Sequence, residues 1–149
     1  LSSIKRQFLP ILASQMVGCI AGIVSVVIIA KVLGASDTVL MSLASKSVTT
    51  PIAMEVTQVL GGIPSLTAAI VVITGLIGAI IGFKTLSVGH VSNPMALGLS
   101  MGAASHAIGT SAAMDRDQFV GAYASLGLTL NGILTALLTP TVIDLIQHI

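Results

Sequence analysis

The sequence predicts an all-α protein, a polytopic membrane helix bundle with two broken or re-entrant segments. Of its 149 residues, 54% are apolar and only 7% are charged, whereas a soluble domain has about 25% charged residues. Each of the four longest uncharged runs exceeds the ~20 residues that a helix needs to cross a bilayer. These runs lack the alternation of a barrel strand, so we expect helices, which satisfy their own backbone polar groups. The runs are 7–30, 56–83, 85–114 and 118–143.

Glycine, proline and charged residues mark the ends of these segments. We predict a single transmembrane domain over 1–149, with lipid bilayer around it. Because the chain begins at Leu1, we expect that N-terminal helices of a longer protein precede it. The predicted segments are helix 8–33, broken segment 37–60, helix 65–86, broken segment 93–114 and helix 118–146.

Glycine pairs occur on three of the predicted segments, each with the spacing GxxxG that lets membrane helices approach closely. We interpret them as packing contacts within the chain. The alternative for helix 8–33 is a contact between subunits, as in a homo-oligomer. The pairs are Gly18 and Gly22, Gly78 and Gly82, and Gly98 and Gly102.

The first broken segment contains SKSVTTPIAME at 45–55. Proline is poorly tolerated inside a helix but accepted in its first turn, so Pro51 predicts a helix start with Thr49 or Thr50 as the N-cap. The preceding backbone is then non-helical at membrane depth, which requires burial in protein or a water-filled cavity. A helix start also attracts anions, because its N–H groups are unpaired and its dipole is positive there.

The second broken segment contains HAIGTSAAMD at 106–115, and a shift of sixty residues overlays Lys46 on His106 and Thr50 on Thr110. We predict a second break at Gly109 and Thr110, and an internal repeat of one broken segment plus the helix that follows it. If the broken segments turn back on themselves, the two units are inverted. If they cross the membrane, the units are parallel, and the sequence does not choose between these.

Two half-helix starts that face one region would suit a small carboxylate, as in secondary transporters. Lys46 stands out, because a lysine near the membrane centre costs ~2.5–3.5 kcal/mol unless it has a partner, a ligand or water. Its alternative is snorkelling to an interface. The candidate substrate-binding residues are Lys46, Ser47, Thr49, Thr50, Pro51, His106, Gly109, Thr110 and Asn131.

Three of the polar residues leave further alternatives open. Glu55 is either a proton carrier, an ion-pair partner of Lys46 or the mark of a segment end. His106 is either a proton-coupling group, because histidine titrates near neutral pH, or a buried structural histidine. Asn131 either lines a pathway or bonds between helices.

Several function classes find no support in the sequence. The three histidines lack metal-ligand spacing, no phosphate-binding glycine loop occurs, and a net charge of +1 offers no nucleic-acid footprint. We therefore predict no metal, no cofactor, no nucleic-acid partner and no enzyme activity.

The motifs K-S-V-T-T-P-I-A at 46–53 and H-A-I-G-T at 106–110 closely resemble the LrgB/CidB family of bacterial membrane proteins, and the resemblance covers essentially the whole chain. It implies a multi-pass protein of the bacterial plasma membrane. The family is described as antiholin-like, acting on murein hydrolase export and cell lysis with a small LrgA/CidA partner. Relatives, including a plant chloroplast protein, transport glycolate, glycerate or pyruvate.

The resemblance therefore implies two alternative functions. The first is a secondary transporter of small monocarboxylates that is linked to control of murein hydrolase activity and cell lysis. The second is an antiholin-like regulator that acts through oligomerisation with an LrgA/CidA partner and has no carrier activity of its own.

Overall fold

The computed structural model describes the backbone of residues 2–148 and the side chains of 7–146 and 148. Within the described residues there are six helices and no strand. Three helices are long and apolar enough to cross a membrane, over Gln7–Val32, Pro64–Val88 and Gln118–Ile146. The predicted all-α membrane bundle is thus confirmed, while the internal repeat stays a prediction. The helices are α1 (Ser2–Val32), α2 (Asp37–Leu43), α3 (Thr50–Leu60), α4 (Pro64–Val88), α5 (Pro94–Arg116) and α6 (Gln118–Gln147).

Helices α2 and α3 form a hairpin, here called the first hairpin, whose tip is residues 44–49. The Ser42 hydroxyl accepts a hydrogen bond from the Ile63 N–H at 2.7 Å, just beyond the end of α3. Nearer the tip, the Ser45 hydroxyl lies 3.0 Å from the Ala53 carbonyl oxygen and 3.2 Å from the Thr57 hydroxyl. Early residues of the hairpin therefore pair with late ones, so α3 runs antiparallel to α2 and the segment turns back on itself.

A chain of buried hydroxyl groups holds the first hairpin to α4. Thr57 and Thr67 share a hydrogen bond of 2.8 Å between their hydroxyls, and Thr67 donates to the Ser42 carbonyl oxygen at 2.8 Å. The side chains of Ser42, Ser45, Thr57 and Thr67 are fully buried. Such bonds between membrane helices stabilise their packing because an unpaired hydroxyl in an apolar interior is costly.

Helix α5 is also folded back on itself, and we call it the second hairpin. His106 has φ 42° and ψ −136°, which is not helical, so the helix is interrupted at this residue. Before His106 the chain advances along α6, and after it the chain returns. The contacts in chain order are Gly98 with Val120 and Ala124, Ala103 with Asn131, Thr110 with Ala124, and Met114 with Gly121.

The break in α5 is not where the sequence predicted it. We expected it at Gly109 and Thr110, but the non-helical residue is His106. Gly109 instead lies against the Ser105 side chain and 2.7 Å from the Met101 carbonyl oxygen, measured from an ideal Cβ position. Its lack of a side chain permits close packing of the returning half, and does not mark the turn.

The two hairpins open at opposite ends of the bundle. The first opens beside Ile63 at the start of α4, and the second opens near the other end of α4, where the Arg116 guanidinium lies 4.5 Å from the Phe83 ring centre. Since α4 has 25 residues, it separates the two ends by ~37 Å. The tips therefore approach one another in the middle of the bundle, where Val48 of the first tip packs with Val71 of α4.

Two of the three glycine pairs pack within the chain, as predicted. Side chains at Gly98 and Gly102 would overlap the backbone of α6, and those at Gly78 and Gly82 would overlap Ser105 and Met101 of α5. Gly18 and Gly22 differ, because nothing lies within 4 Å of their ideal Cβ positions. The α1 pair therefore makes no close helix contact in the described structure.

Candidate functional site

A cavity of about 610 Å³ lies between α1, the tip of the first hairpin, the first half of α5 and α6. Most of its walls are apolar or small side chains, such as Ile11, Leu99 and Ala103. Its polar lining is Ser14, Gln15, Lys46, Ser47, Ser100, Asn131 and Thr135. A mostly apolar cavity with a few polar groups is the usual form of a small-molecule site.

Lys46 is the one charged residue that lines this cavity. It lies in the tip of the first hairpin, half-buried, and its Nζ donates to the Ser47 hydroxyl at 3.0 Å. Among the described side chains no carboxylate oxygen lies within 4.0 Å of Lys46. Glu55 is exposed on α3, so the ion pair that we considered between Lys46 and Glu55 is not formed. The ammonium group is therefore available to an anion in the cavity.

Asn131 joins the two interrupted segments. Its side-chain Nδ2 donates to the Ser47 carbonyl oxygen at 3.0 Å and to the Ala103 carbonyl oxygen at 2.9 Å. Ser47 lies in the first tip, and Ala103 is three residues before the non-helical residue His106. Asn131 thus bonds between helices and also lines the cavity, while its place on a transport pathway stays a prediction.

The predicted residues at the start of α3, from the last residue of the tip onward, are not part of the cavity lining. Thr49 is the N-cap, and its carbonyl oxygen accepts from the Ala53 N–H at 3.0 Å. Thr50 begins the helix, and Pro51 lies exposed in its first turn. Proline therefore starts the helix here, while any substrate role of these three residues stays a prediction.

The predicted residues of the second hairpin face α4 and α6 rather than the cavity. His106 is only 3% exposed, and its Nε2 lies 2.8 Å from the Val71 carbonyl oxygen. The Thr110 hydroxyl donates to the His106 carbonyl oxygen at 2.8 Å. The structure thus divides the candidates into a cavity group, Lys46, Ser47 and Asn131, and a buried group, His106, Gly109 and Thr110.

Comparison with known proteins gives the family of the chain. The model of the LrgB-like family matches residues 1–145. The chain belongs to the LrgB-like family. With three apolar helices of membrane-spanning length, it is a membrane protein of the holin-like LrgB/CidB group.

Relatives of this LrgB-like chain come from several bacteria. An uncharacterized protein of Haemophilus influenzae is 40% identical over 98% of this chain and 63% of its own length. The holin-like protein CidB of Staphylococcus epidermidis is 35% identical, and the uncharacterized protein YxaC of Bacillus subtilis is 34% identical, each over 94% of this chain and 61% of the relative. The chain therefore spans less than two thirds of these relatives. No solved structure matches it.

Sequence reasoning missed Gln15 in this LrgB-like chain. Its side chain is 5% exposed and lines the cavity from α1, and its Oε1 has no hydrogen-bond partner in the described structure. The available signal was an amide inside a long uncharged run, since polar side chains in membrane helices normally face protein or a cavity. Its position across the cavity from the first hairpin tip could be recognised only from the fold.

No metal centre is formed by the residues that the structure describes. They contain no group of three or more histidine, cysteine, aspartate or glutamate side chains that could hold an ion. The chemistry of the cavity is therefore that of one ammonium group, several hydroxyls and two amides.

Proposed function

We propose that this LrgB-like protein is a secondary transporter of small monocarboxylates of the glycolate, glycerate or pyruvate type. The observation that carries the proposal is Lys46, a cation without a carboxylate partner on a cavity in the middle of a membrane bundle. The Ser47 hydroxyl and the Asn131 amide lie on the same cavity. An anion bound there would receive a charge-assisted hydrogen bond, which is about twice as strong as a neutral one.

The arrangement of the hairpins supports a transport mechanism. Secondary transporters commonly bind their substrates near the membrane midplane, where interrupted helices meet. Here two hairpins open at opposite ends of the bundle, and Asn131 bonds to both near their tips. Movement of one hairpin against α1 and α6 would expose the cavity to one side of the membrane at a time.

Glu55 and His106 are the candidates for proton coupling. A neutral His106 ring can donate from Nε2 to the Val71 carbonyl oxygen, which lies 2.8 Å away. Protonation would occur at Nδ1 and keep the Nε2–H bond to Val71, but it would add a charge to a buried ring. The cost of burying that charge is the way in which a proton would alter the position of the hairpin.

The transport activity that we propose is linked to control of murein hydrolase activity and cell lysis. The basis is family membership, since the relative in Staphylococcus epidermidis is named a holin-like protein. An antiholin-like regulator without carrier activity, acting through oligomerisation with an LrgA/CidA-type partner, is the second candidate. One observation favours it: nothing lies within 4 Å of the ideal Cβ positions of Gly18 and Gly22, which line the cavity on α1, and such glycines let a further helix approach closely.

Uptake by the full-length protein in proteoliposomes tests the transporter proposal. Labelled glycolate, glycerate and pyruvate are offered with and without a pH gradient. We expect Lys46→Met to abolish uptake, whereas Lys84→Met, at an exposed lysine near the end of α4, retains it. Equal uptake by both variants would remove Lys46 from the site. No uptake by the unaltered protein of any of the three acids would favour the regulator.

A further inference from the structure

The outer face of α3 includes polar side chains that the described structure leaves exposed. We call this face the α3 stripe, and its residues are Pro51, Glu55, Gln58 and Val59. They lie at positions i, i+4, i+7 and i+8, which form one line along a helix and match the width of a contact with one neighbouring helix. A carboxyl and an amide group lie between two apolar side chains in this line.

The level of Glu55 along α4 follows from the contacts of its neighbours in the sequence. Ala53 packs with Val71, and the Thr57 hydroxyl is bonded to the Thr67 hydroxyl at 2.8 Å. At the helical rise of 1.5 Å per residue, Val71 and Thr67 lie ~10 and ~5 Å past the start of α4. Glu55 lies between these two levels, and therefore beside the membrane-spanning part of α4.

Charged residues near the two ends of the bundle indicate where the bilayer surfaces lie. Lys84 is exposed near the end of α4. Asp37 begins α2, five residues before Ser42, whose hydroxyl is bonded to the Ile63 N–H. The two charged residues are ~39 Å apart along the helices. A hydrocarbon layer of ~30 Å centred between them places Glu55 ~10 Å below its nearer surface.

The side chain of Glu55 is poorly placed to reach that surface. Side chains on a helix lean toward its N-terminus, which in α3 is the tip of the hairpin in the middle of the bundle. Val59, one turn nearer the surface, is apolar and 77% exposed. The carboxyl group of Glu55 therefore lies in apolar surroundings, where a hydrogen-bonding partner is needed.

The described part of the chain does not supply a cation for Glu55. No described basic side chain lies within 4.0 Å of its carboxyl oxygens. Lys46, in the tip of the same hairpin, lines the cavity instead. A partner for Glu55 therefore has to come from outside these residues.

Two sources of that partner differ in their electrostatics. A second copy in the same membrane orientation, related by a two-fold axis along the membrane normal, would place its own Glu55 opposite this one, and like charges repel. A different helix with a basic side chain would give Glu55 a charge-assisted hydrogen bond. More than a third of each of the three relatives lies outside the region that this chain matches. That length is enough for further membrane helices.

We propose that the α3 stripe packs against a membrane helix from the remainder of the full-length protein, and that this helix presents a basic side chain to Glu55. The proposal goes beyond the transport function and does not depend on it, because a regulator would need the same contact. A paired carboxyl group can still exchange a proton, so the candidate role of Glu55 in proton coupling is unaffected.

Photo-crosslinking in the full-length protein identifies what covers the α3 stripe. Benzoylphenylalanine replaces Val59 or, as a matched control, Ile80 of α4, which is 78% exposed. Two differently tagged copies of the protein are expressed together. At Val59 we expect a crosslink to the same chain, in a helix outside residues 1–149 that has a lysine or arginine within about two turns of the crosslinked residue. Ile80 should give mainly lipid adducts.

Substitutions of Glu55 test the chemistry of the contact through the direction of the stability change. In the full-length protein, Glu55→Leu should lower the melting temperature by about 10 °C, because a buried basic group loses its partner. Glu55→Gln keeps an acceptor and should lower it by less. On a face covered by lipid the melting temperature would rise instead, since leucine is favoured over a carboxylate there. The control is Asp115→Leu, at an exposed carboxylate near the end of α5, which should change it little.

The outcomes separate this proposal from its alternatives. A crosslinked product with both tags would show that a second copy covers the α3 stripe and would overturn the proposal. A crosslink to a separate protein, or lipid adducts alone at Val59, would overturn it as well. A melting temperature that rises in Glu55→Leu would exclude a basic partner. If Glu55→Leu does not fold, the sign of the change in Glu55→Gln decides. Uptake is not used in either experiment, so the transporter proposal is tested separately.

Discussion

The two hairpins differ in how their tips are built and in what holds them. The first tip is a stretch of six residues, 44–49, and it brings the half-buried Lys46 to the cavity. The second tip is the single residue His106, which is buried against α4. Hydroxyl groups fasten the first hairpin, whereas glycines let the second pack directly on the α6 backbone. One tip thus presents a polar side chain to the cavity, and the other is enclosed in protein packing.

The difference between the tips follows from the chemistry of their polar residues. Lys46 ends in an ammonium group, which is costly to seal in apolar packing without a partner, and it lies where a cavity is open to it. His106 can be neutral, and one hydrogen bond to Val71 accompanies its burial. Residues that overlay in a sequence repeat therefore occupy hairpin tips with different surroundings. The similarity of the motifs is therefore compatible with two hairpin tips, while the functions of both residues stay predictions.

Gly102→Ala should have the largest effect on stability, because it breaks the packing of the second hairpin. The added Cβ would overlap the carbonyl oxygen of Ala124, which belongs to the backbone of α6 and cannot rotate away. We expect a loss of about 3 kcal/mol from overpacking, against a gain of at most ~1 kcal/mol from helix propensity. Reversible unfolding of the protein in mixed micelles measures the change. A stability equal to that of the unaltered protein would contradict the close contact of α5 with α6.

Asn131→Leu should have the next largest effect on stability. It removes the two hydrogen bonds that link the first tip to α5 near the second tip. The Ser47 and Ala103 carbonyl oxygens would both lose their donor. We expect about 2 kcal/mol of destabilisation from two incompletely satisfied acceptors, and uptake should fall together with stability. Asn131→Gln serves as a control, since it keeps the donor on a longer side chain. If Asn131→Leu unfolds at the same denaturant concentration as the unaltered protein, the two tips are held together by other contacts.

Thr57→Val tests whether the chain of hydroxyl groups holds the first hairpin to α4. Valine has nearly the shape of threonine but lacks the hydroxyl that bridges Ser45 and Thr67. We expect a loss of about 1 kcal/mol, typical of one buried hydrogen bond, measured by the same unfolding assay. The control is Thr85→Val, because the Thr85 hydroxyl bonds only within α4 at an exposed position. Equal stabilities of the two variants would show that the hydroxyl chain does not hold the hairpin.

The parts of the fold that the sequence predicts are those decided by local chemistry. Scarcity of charge predicts the membrane bundle, and proline in a first turn predicts the start of α3 at Thr50 and Pro51. The break at His106 escaped prediction because its positive φ accompanies a tertiary contact with Val71, not a local breaker residue. Recognition of Gln15 as a cavity residue also needed the fold, since α1 and the first tip are brought together only by packing.

Gly18→Ala should have the smallest effect on stability, in contrast to Gly102→Ala. The added methyl group meets nothing within 4 Å, so helix propensity is the main remaining effect. We expect stability to stay equal or to rise by at most ~1 kcal/mol. A large loss of stability would mean that α1 packs closely on a helix that the described residues do not include. The same variant tests the second candidate function, because a regulator that binds its LrgA/CidA-type partner through the Gly18 face should lose co-purification with that partner.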